Sequence, residues 1–298
     1  MRNFYYCINP KCQNRQNPDA AKYCQACGTA LLIGDRYRII QPLRSLQFAH
    51  PTEIFEVEDW GTNEKEWRTR KVLKILKSTN NFHLFNLFKQ EARVLMWLRY
   101  PEIPKVEPDG YFRISPHSSS QQLLCLVMDK IPGENLGKWL EKNQPISQAI
   151  ALAWLPQITA ILDVIHSQNI VHRDIKPSNL ILKPNGKLAL IDFGSVKVKN
   201  CEIAPVGSWG YAPPEQLAGK TVQQSDFFAL GRTLVHLLTG RTPTDFPVDE
   251  STNQLIWRDP TLKIESLFGD LIDEMMNEKP EKRPKTTRFI FKRLKKLS

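Results

Sequence analysis

The spacing of hydrophobic residues divides the chain into short strand-like runs and longer helix-like runs. Residues 37–43, 53–59 and 72–76 are short and rich in aliphatic and aromatic residues, which is typical of strands. Residues 85–98 read FNLFKQEARVLMWL, and their apolar positions recur at the three- and four-residue spacing of an amphipathic helix. These runs predict three strands followed by one helix.

A hairpin is predicted farther along the chain, around Asn185-Gly186. This dipeptide favours a tight turn because both residues tolerate positive φ, and apolar runs flank it on both sides. If the turn has two residues, the register places Asn179 directly opposite Asp192. Two oxygen-bearing side chains would then meet at one end of the hairpin, as in a Mg²⁺ site that also uses substrate phosphates.

Two charged residues lie on the approach to this hairpin. Asp174 precedes Asn179 by five residues, and Lys176 follows Asp174 by two. A carboxylate near a metal-bound phosphate can orient a hydroxyl nucleophile and accept its proton. A lysine beside it can offset charge on the transferring phosphoryl group, so the segment predicts phosphoryl-transfer chemistry.

Composition places the chain among ordinary globular proteins. Its 298 residues are 41% hydrophobic and 24% charged, which suits one large domain or two smaller ones. No apolar run approaches the roughly 18 residues that span a bilayer, and the N-terminus lacks the apolar core of a signal peptide. We therefore expect no membrane span and a cytoplasmic location.

The net charge of +10 is concentrated at the two ends of the chain. Residues 279–298 hold nine Lys or Arg and one Glu, and residues 1–34 hold four Lys or Arg and one Asp. A basic tail can bind nucleic acid or an anionic surface. The alternative is a solvated terminal helix, because Phe289, Phe291 and Leu294 are interleaved with the charges. We prefer this alternative, so nucleic acid is not expected to be the main partner.

Four of the six cysteines fall near the N-terminus, at Cys7, Cys12, Cys24 and Cys27. Two close pairs separated by a short loop suit a tetrahedral zinc site, and the metal would stabilise a segment too short to bury its own core. Two disulfides are one alternative, which a cytoplasmic location disfavours, and a redox CxxC pair is another, which leaves the first two cysteines unexplained. The segment resembles the small zinc ribbons at the start of many bacterial proteins. That resemblance implies a structural or docking role for residues 1–33.

The segment around Asp174 resembles the catalytic region of a known family. Residues 172–179 read HRDIKPSN and match the catalytic loop of eukaryotic-type (bacterial) serine/threonine protein kinases. Residues 192–194 read DFG, like the metal-binding triplet of the same family. The resemblance covers a kinase domain over residues 34–298. It implies an α+β, two-lobed fold with a small, mostly β lobe at about 35–128 and a large helical lobe at about 133–298.

The same resemblance implies roles for individual residues. Asp174 and Lys176 are implied to be catalytic, and Asn179 and Asp192 to bind Mg²⁺. Five further residues are implied to bind ATP, namely Lys74, Glu91, Met128, Asp129 and Ile131. The lysine would grip the α- and β-phosphates and pair with the glutamate of the predicted helix, for which a surface position is the alternative. The last three would form the hinge between the lobes.

Three supporting positions also fit the family pattern. Ser208 occupies the place of a threonine that contacts the catalytic loop, and Asp226 resembles the acid that braces this loop. Arg283 resembles the arginine that pairs with the terminal glutamate of the activation segment, here Glu215. The resemblance implies that these residues support the site without reacting themselves.

The turn before the Lys74 strand departs from the family pattern. The family uses a glycine-rich flap to bring backbone N–H groups close to the phosphates, yet no glycine occurs between Gly34 and Gly61. Residues 45–52 must serve instead, and Pro51 has no N–H to donate. We expect the hairpin to persist with an altered tip, and ATP binding to be weaker rather than lost.

The sequence therefore predicts a protein serine/threonine kinase that uses ATP, Mg²⁺ and a structural Zn²⁺. Its expected partners are protein substrates with Ser or Thr hydroxyls and a protein that docks on the zinc ribbon. A weakly active or inactive pseudokinase acting as a nucleotide-binding scaffold is the alternative, because the flap lacks glycine. A nucleic-acid binder is a third hypothesis, suggested by the cysteine-rich segment and the basic tail.

Overall fold

The structure is a computed structural model, and it describes residues 4–46, 50–61, 68–117, 119–198 and 207–296. Contacts divide the chain into two compact units. The first comprises Met1–Arg99 and Pro104–Lys130, and the second comprises Tyr100–Ile103 and Ile131–Ser298. The cysteine-rich segment and the predicted β lobe thus lie in the same unit.

Within the described residues, the first unit is a seven-stranded sheet with one α-helix. Its elements are β1 (Phe4–Tyr6), β2 (Gln16–Pro18), β3 (Tyr37–Pro42), β4 (Thr52–Asp59), β5 (Thr69–Leu76), α1 (Phe82–Trp97), β6 (Tyr111–Ile114) and β7 (Leu123–Asp129). The strand order is β2-β1-β3-β4-β5-β7-β6, and every neighbouring pair is antiparallel. This arrangement confirms the predicted β-sheet lobe and its three strands.

The longest pairing in this sheet joins β4 to β5 and fixes the position of Lys74. The two strands pair from Thr52 opposite Leu76 through Ile54 opposite Lys74. Side chains alternate between the two faces of a strand, so Leu73 and Ile75 enter the hydrophobic core while Lys74 points to the other face. The helix α1 follows this strand and begins where the Asn81 side chain accepts a hydrogen bond from the backbone of its first turn.

The cysteine-rich segment continues the same sheet and core. Tyr6 of β1 pairs with Ile39 of β3, which adds two strands to the edge of the sheet. Ile8 and Ile33 are fully buried in the cluster that also contains Phe55. The domain boundary predicted after residue 33 stays a prediction, but neither the sheet nor the core is interrupted there.

The second unit is mainly helical, as predicted for the larger lobe. Its helices are α2 (Leu136–Lys142), α3 (Gln148–Ser167), α4 (Pro214–Leu217), α5 (Gln224–Thr239), α6 (Ser266–Met275) and α7 (Thr287–Leu294). Its short strands are β8 (Glu134–Asn135), β9 (Ile170–Val171), β10 (Leu180–Leu182), β11 (Leu188–Leu190) and β12 (Lys197–Val198). Helices α3 and α5 contribute most of the buried side chains among these helices.

One helix corrects the expectation that no segment approaches the length of a membrane span. Helix α3 has 20 residues and is apolar enough to cross a membrane by length and composition alone. Half of that apolar window is buried inside the protein, where Trp154, Ile158 and Leu162 pack into the core of the second unit. Burial within a fold accounts for the apolar composition of this helix, so it is no clear membrane span.

Candidate active site

Lys74 and Glu91 form a buried ion pair in the first unit. The Lys74 Nζ donates to both carboxylate oxygens of Glu91 at 2.8 Å. The two side chains are 8% and 1% exposed. Glu91 reaches this position because it lies on the buried side of α1, between Phe88 and Leu95. The structure thus brings the two predicted residues together and rules out a surface position for Glu91.

The predicted hinge residues follow directly from the central strands. Met128 is the last residue but one of β7, where it lies opposite Val72, and it is buried. The Asp129 N–H donates to the Lys105 carbonyl at 2.9 Å, so this donor is already used within the chain. The Asp129 side chain accepts from Lys71. Ile131 is the first residue of the second unit after the strand.

The hairpin formed by β3 and β4 persists without a glycine, as predicted. Beyond the paired strands, the Leu43 N–H donates to the Ile54 carbonyl at 2.9 Å. Arg44 then bridges the two arms, because its guanidinium donates to both the carbonyl and the hydroxyl of Thr52. The outermost part of the predicted tip, residues 47–49, lies outside the described residues.

In the second unit, a buried carboxylate holds the segment before Asp174. The two oxygens of Asp226 accept from the backbone N–H groups of His172 at 2.9 Å and Arg173 at 2.8 Å. Asp226 is fully buried and also contacts His166 Nε2 at 2.8 Å. These bonds fix Arg173 at a φ of +71°, a left-handed conformation that is rare outside glycine and is common near active sites.

His172 packs into the base of the same loop. Its ring meets Phe193 edge-on with 4.9 Å between centroids, and both side chains are buried. Burial lowers the pKa of His172 below its usual value, which outweighs the nearby carboxylates. The residue therefore acts as a neutral packing element between the catalytic loop and the DFG triplet.

Asp174 is the centre of a closed ring of hydrogen bonds. Its Oδ1 accepts from the Ser208 hydroxyl at 2.6 Å, and its Oδ2 lies 2.9 Å from Lys176 Nζ. Lys176 also donates to the Ser208 oxygen at 2.6 Å. Asn179 Nδ2 adds two bonds from outside this ring, because it donates to the Asp174 carbonyl at 2.8 Å and to Oδ2 at 2.9 Å. The carboxylate is thus held in one orientation while 12% of its side chain stays exposed.

The hairpin that carries Asn179 has a register one residue away from the predicted one. Leu180 pairs with Leu190, which places Asn179 opposite Ile191 instead of Asp192. The length of the turn causes this shift. The Lys183 N–H donates to the Lys187 carbonyl, which leaves a loop of three residues instead of the two that were predicted. The loop ends at Gly186, which has a φ of +77°.

Asp192 nevertheless lies next to the predicted position. The N–H of the preceding Ile191 donates to the Asn179 carbonyl at 2.9 Å, so the two proposed metal ligands are adjacent in the ladder. Asp192 leaves the strand with a φ of +61°, which turns the chain sharply. Its Oδ1 accepts from the Gly194 N–H at 3.3 Å, so the DFG triplet is held by its own first side chain.

The end of the activation segment is held by a second buried ion pair. Arg283 donates to the two oxygens of Glu215 at 2.7 and 3.0 Å, and its side chain is fully buried. The structure therefore brings these two predicted partners together. Residues 199–206 of the same segment lie outside the described residues.

Sequence patterns missed two side chains that hold the catalytic loop. Gln216 is 1% exposed and donates to the Arg173 carbonyl at 2.8 Å. His166 contacts Asp226 from within the apolar pattern of α3. A single Gln or His in an apolar stretch gives no signal of its own, so only the folded arrangement identifies them.

The four N-terminal cysteines converge at one point of the first unit. Their Sγ atoms all lie within 4.8 Å of one another, and the Cys7–Cys27 and Cys12–Cys24 contacts are both 3.6 Å. These separations are far longer than a disulfide of about 2.05 Å. They are close to the roughly 3.8 Å between ligands of a tetrahedral site with Zn–S bonds of about 2.3 Å. The residues present therefore fit a four-thiolate zinc site.

The thiols of this cluster differ in their readiness to ionise. Burial raises the pKa of Cys7 well above its usual value. Burial would also raise the pKa of Cys27, but hydrogen bonds with Thr29 outweigh it and lower the value to about 6. Metal binding requires thiolates, so the lowered pKa of Cys27 favours binding, whereas Cys7 would have to lose its proton when a metal binds.

Comparison with known proteins places the chain in a family. The family model for the protein kinase domain matches residues 56–293. Serine/threonine-protein kinase B of Synechocystis sp. is 31% identical over 290 residues, which cover 91% of this chain and 48% of that protein. Serine/threonine-protein kinase F of the same organism is 33% identical over 279 residues, covering 88% and 55%. PknA of Nostoc sp. is 32% identical over 281 residues, covering 88% and 47%.

The chain therefore belongs to the protein kinase family. The names of its relatives agree with the predicted serine/threonine class. The chain spans about half the length of the curated relatives it matches. The family match begins at Glu56, so the cysteine-rich segment lies outside it.

Proposed function

We propose that this chain transfers the γ-phosphoryl group of Mg-ATP to serine and threonine hydroxyls of protein substrates. The observation that carries the proposal is the contact of the Ser208 hydroxyl with Asp174 Oδ1 and Lys176 Nζ, both at 2.6 Å. An aliphatic hydroxyl thus reaches a fixed carboxylate and a fixed ammonium at the same time. An acceptor hydroxyl that approaches Asp174 in this way is oriented for transfer.

Each residue of the site has one task in this proposal. Asp174 accepts the hydrogen bond and then the proton of the acceptor hydroxyl, and Lys176 offsets negative charge beside it. Lys74 holds the nucleotide phosphates, and Glu91 fixes the position of its ammonium. Asn179 and Asp192 would hold the magnesium ion, which supplies neutralisation of phosphate charge when bound.

The class of acceptor can be tested directly with three peptides that differ only in one residue. We expect phosphate from γ-labelled ATP to enter the Ser and Thr peptides at least about tenfold faster than the Tyr peptide. The reason is that the short aliphatic hydroxyl of Ser208 contacts Asp174 and Lys176 at once, whereas the longer Tyr side chain would place its hydroxyl differently. Label incorporation measured by mass and by scintillation counting gives the three rates. A faster Tyr peptide would contradict the proposed substrate class.

A nucleotide-binding scaffold without turnover is the second proposal, and the glycine-free hairpin favours it. The Arg44 guanidinium bridges the arms of this hairpin by donating to the carbonyl and the hydroxyl of Thr52, so this cation is engaged within the hairpin and is not offered to phosphates. Both proposals predict that Mg-ATP raises the melting temperature, since a ligand at about 100 times its Kd stabilises by about 2.7 kcal/mol. No shift at millimolar Mg-ATP would contradict both, whereas a shift without phosphotransfer would favour the scaffold.

We also propose that the four cysteines bind one structural zinc ion. The tetrahedral spacing of their sulfurs supports this, and four thiolates leave no open position for catalysis. Because the segment shares its sheet and core with the rest of the unit, a structural role has the stronger support. A docking role for a partner protein is the weaker proposal, for which Tyr23 offers an exposed side chain (64%). We propose a cytoplasmic location, where such thiols stay reduced.

Metal analysis tests the zinc site independently of activity. We expect about one zinc per chain, from the stoichiometry of a four-thiolate site. Cys24→Ser should lose the metal and lower the melting temperature, because the metal stabilises the segment that holds it. The control is Cys125→Ala, since Cys125 is buried in β7 as a free thiol outside the cluster. Loss of zinc in the control, or retention in Cys24→Ser, would contradict the assignment.

A further inference from the structure

Arg15 lies between the two cysteine pairs and is held by the turn that follows Cys7. Its Nε donates to the Cys7 carbonyl at 2.8 Å, and its Nη2 donates to the Ile8 carbonyl at 3.3 Å. A backbone bond joins the same two residues, because the Cys7 N–H donates to the Arg15 carbonyl at 2.7 Å. The position of this guanidinium therefore depends on the conformation of a turn that ends in a candidate metal ligand.

The other side of Arg15 contacts β4. Its Nη2 lies 3.0 Å from Glu53 Oε2, and the two side chains are only 11% and 6% exposed. The guanidinium also lies over the ring of Phe55, 5.2 Å from its centroid. A buried carboxylate depends strongly on its partner, because loss of one charge leaves the other uncompensated. Arg15 thus holds β4 through one ionic contact and one aromatic contact.

The position that Arg15 holds is directly beside the nucleotide-binding lysine. Glu53 pairs with Ile75, and the next residue, Ile54, pairs with Lys74. The backbone ladder between β4 and β5 therefore carries any shift at Glu53 to Lys74 within one residue. Lys74 in turn must stay in register with Glu91 to keep its ion pair.

We propose that Arg15 is a positioning residue that couples metal binding at the cysteine cluster to nucleotide binding at Lys74. This inference rests on the proposed zinc site and goes beyond it. A bound metal would fix the turn after Cys7, and the carbonyls of this turn would then hold the guanidinium next to Glu53 by accepting its hydrogen bonds. Without the metal, the turn loosens, Glu53 loses a fixed partner, and the β4–β5 ladder holds Lys74 less firmly. Such coupling is reciprocal, so ATP must also strengthen metal binding.

The test measures ATP binding before and after removal of the metal from the full chain. Titration calorimetry with a nonhydrolysable ATP analogue and Mg²⁺ gives the Kd without turnover. In the natural protein we expect chelation to weaken binding about fivefold to tenfold, at the low end of typical couplings. Zinc-loaded Arg15→Met should already be weakened to that extent, and chelation should then add less than about twofold because the link is broken.

Three further variants test whether the effect of chelation on ATP binding depends on the contact between Arg15 and Glu53. Arg15→Lys keeps the charge but cannot donate to two carbonyls while it pairs with the carboxylate, so it should fall between the natural protein and Arg15→Met. Glu53→Gln removes the charge that needs a partner and should also abolish the effect of chelation, which keeps the test available if Arg15→Met fails to fold. The control is Arg70→Met, because Arg70 pairs with Glu58 of the same sheet and should keep the full effect.

Metal content measured on the same samples separates this inference from the zinc proposal. Zinc in the natural protein together with an unchanged chelation effect in Arg15→Met and Glu53→Gln would overturn the coupling and leave the zinc site intact. Natural protein that contains no zinc would overturn the site itself. Zinc retained in Arg15→Met with the coupling lost is the result that the inference requires.

Discussion

Asp174→Asn is expected to lower kcat for phosphoryl transfer by at least about 100-fold, the lower range for loss of a general base. The amide keeps the shape of the carboxylate but cannot accept the proton of an acceptor hydroxyl. It also presents an N–H where Ser208 and Lys176 now donate to oxygen. The affinity for Mg-ATP should change much less, because Lys74 and Glu91 lie in the other unit of the chain.

The matched control for this variant is Asp270→Asn. Asp270 is an exposed carboxylate on α6 in the same unit, where it pairs with Arg258 at the surface. Such pairs contribute about 0–1 kcal/mol, so both stability and kcat should stay close to those of the natural protein. Equal turnover by Asp174→Asn and the natural protein would remove Asp174 from the chemistry.

Lys74→Met is expected to have the second-largest effect, and it should act on both stability and ATP binding. Removal of the ammonium takes the Lys74 charge away from the buried Glu91 carboxylate, which costs about 3–5 kcal/mol in the free energy of unfolding. The KM for ATP should rise and kcat should fall, because the phosphates lose the cation that positions them. Denaturant titration and steady-state kinetics measure the two effects.

A double variant separates the structural effect from the functional one. Lys74→Met with Glu91→Met removes both charges and should recover most of the lost stability, since replacing a buried pair with apolar groups is often neutral. The double variant should not recover the KM for ATP or kcat, because the lysine is still missing. Arg70→Met, on the same strand and half-exposed, should be close to the natural protein in both assays. Recovery of catalysis in the double variant would show that the lysine has no role toward the phosphates.

The sequence was sufficient to predict the family and the grouping of the site residues because these residues occur in motifs with fixed spacing. Asp174, Lys176 and Asn179 lie within eight consecutive residues, and local geometry brings them together. The pairing of Lys74 with Glu91 was implied by the family resemblance, and the ion pair forms because Lys74 lies on a strand and Glu91 on the buried side of the helix that follows it. Their roles in catalysis stay predictions until the variants are measured.

The register of the Asn179 hairpin could not be predicted from its dipeptide. Asn185-Gly186 indicated a turn but not its length, and the three-residue loop shifts the ladder by one position. The choice between two and three residues depends on how the flanking side chains pack, which alternation alone does not encode. The predicted cross-strand pair of Asn179 with Asp192 was therefore wrong. Asn179 lies opposite Ile191, and Asp192 is the next residue along the chain.

The union of the cysteine-rich segment with the β sheet was also not predictable. Strands β1 and β2 have three residues each, too short for a periodic pattern. Their place in the sheet depends on long-range contacts such as Arg15 with Glu53 and Tyr5 with Glu58. Only the folded chain shows that the candidate metal site and the lysine strand belong to one structure.

The most direct test of the central claim is to measure ATP binding and phosphate transfer on the same preparation of the full chain. A serine peptide, Mg-ATP and the Asp174→Asn variant as reference suffice. The account predicts that the natural protein binds Mg-ATP and labels the peptide at least about 100 times faster than the variant. Saturating nucleotide binding with labelling no faster than that of Asp174→Asn would contradict it and identify the chain as a nucleotide-binding scaffold.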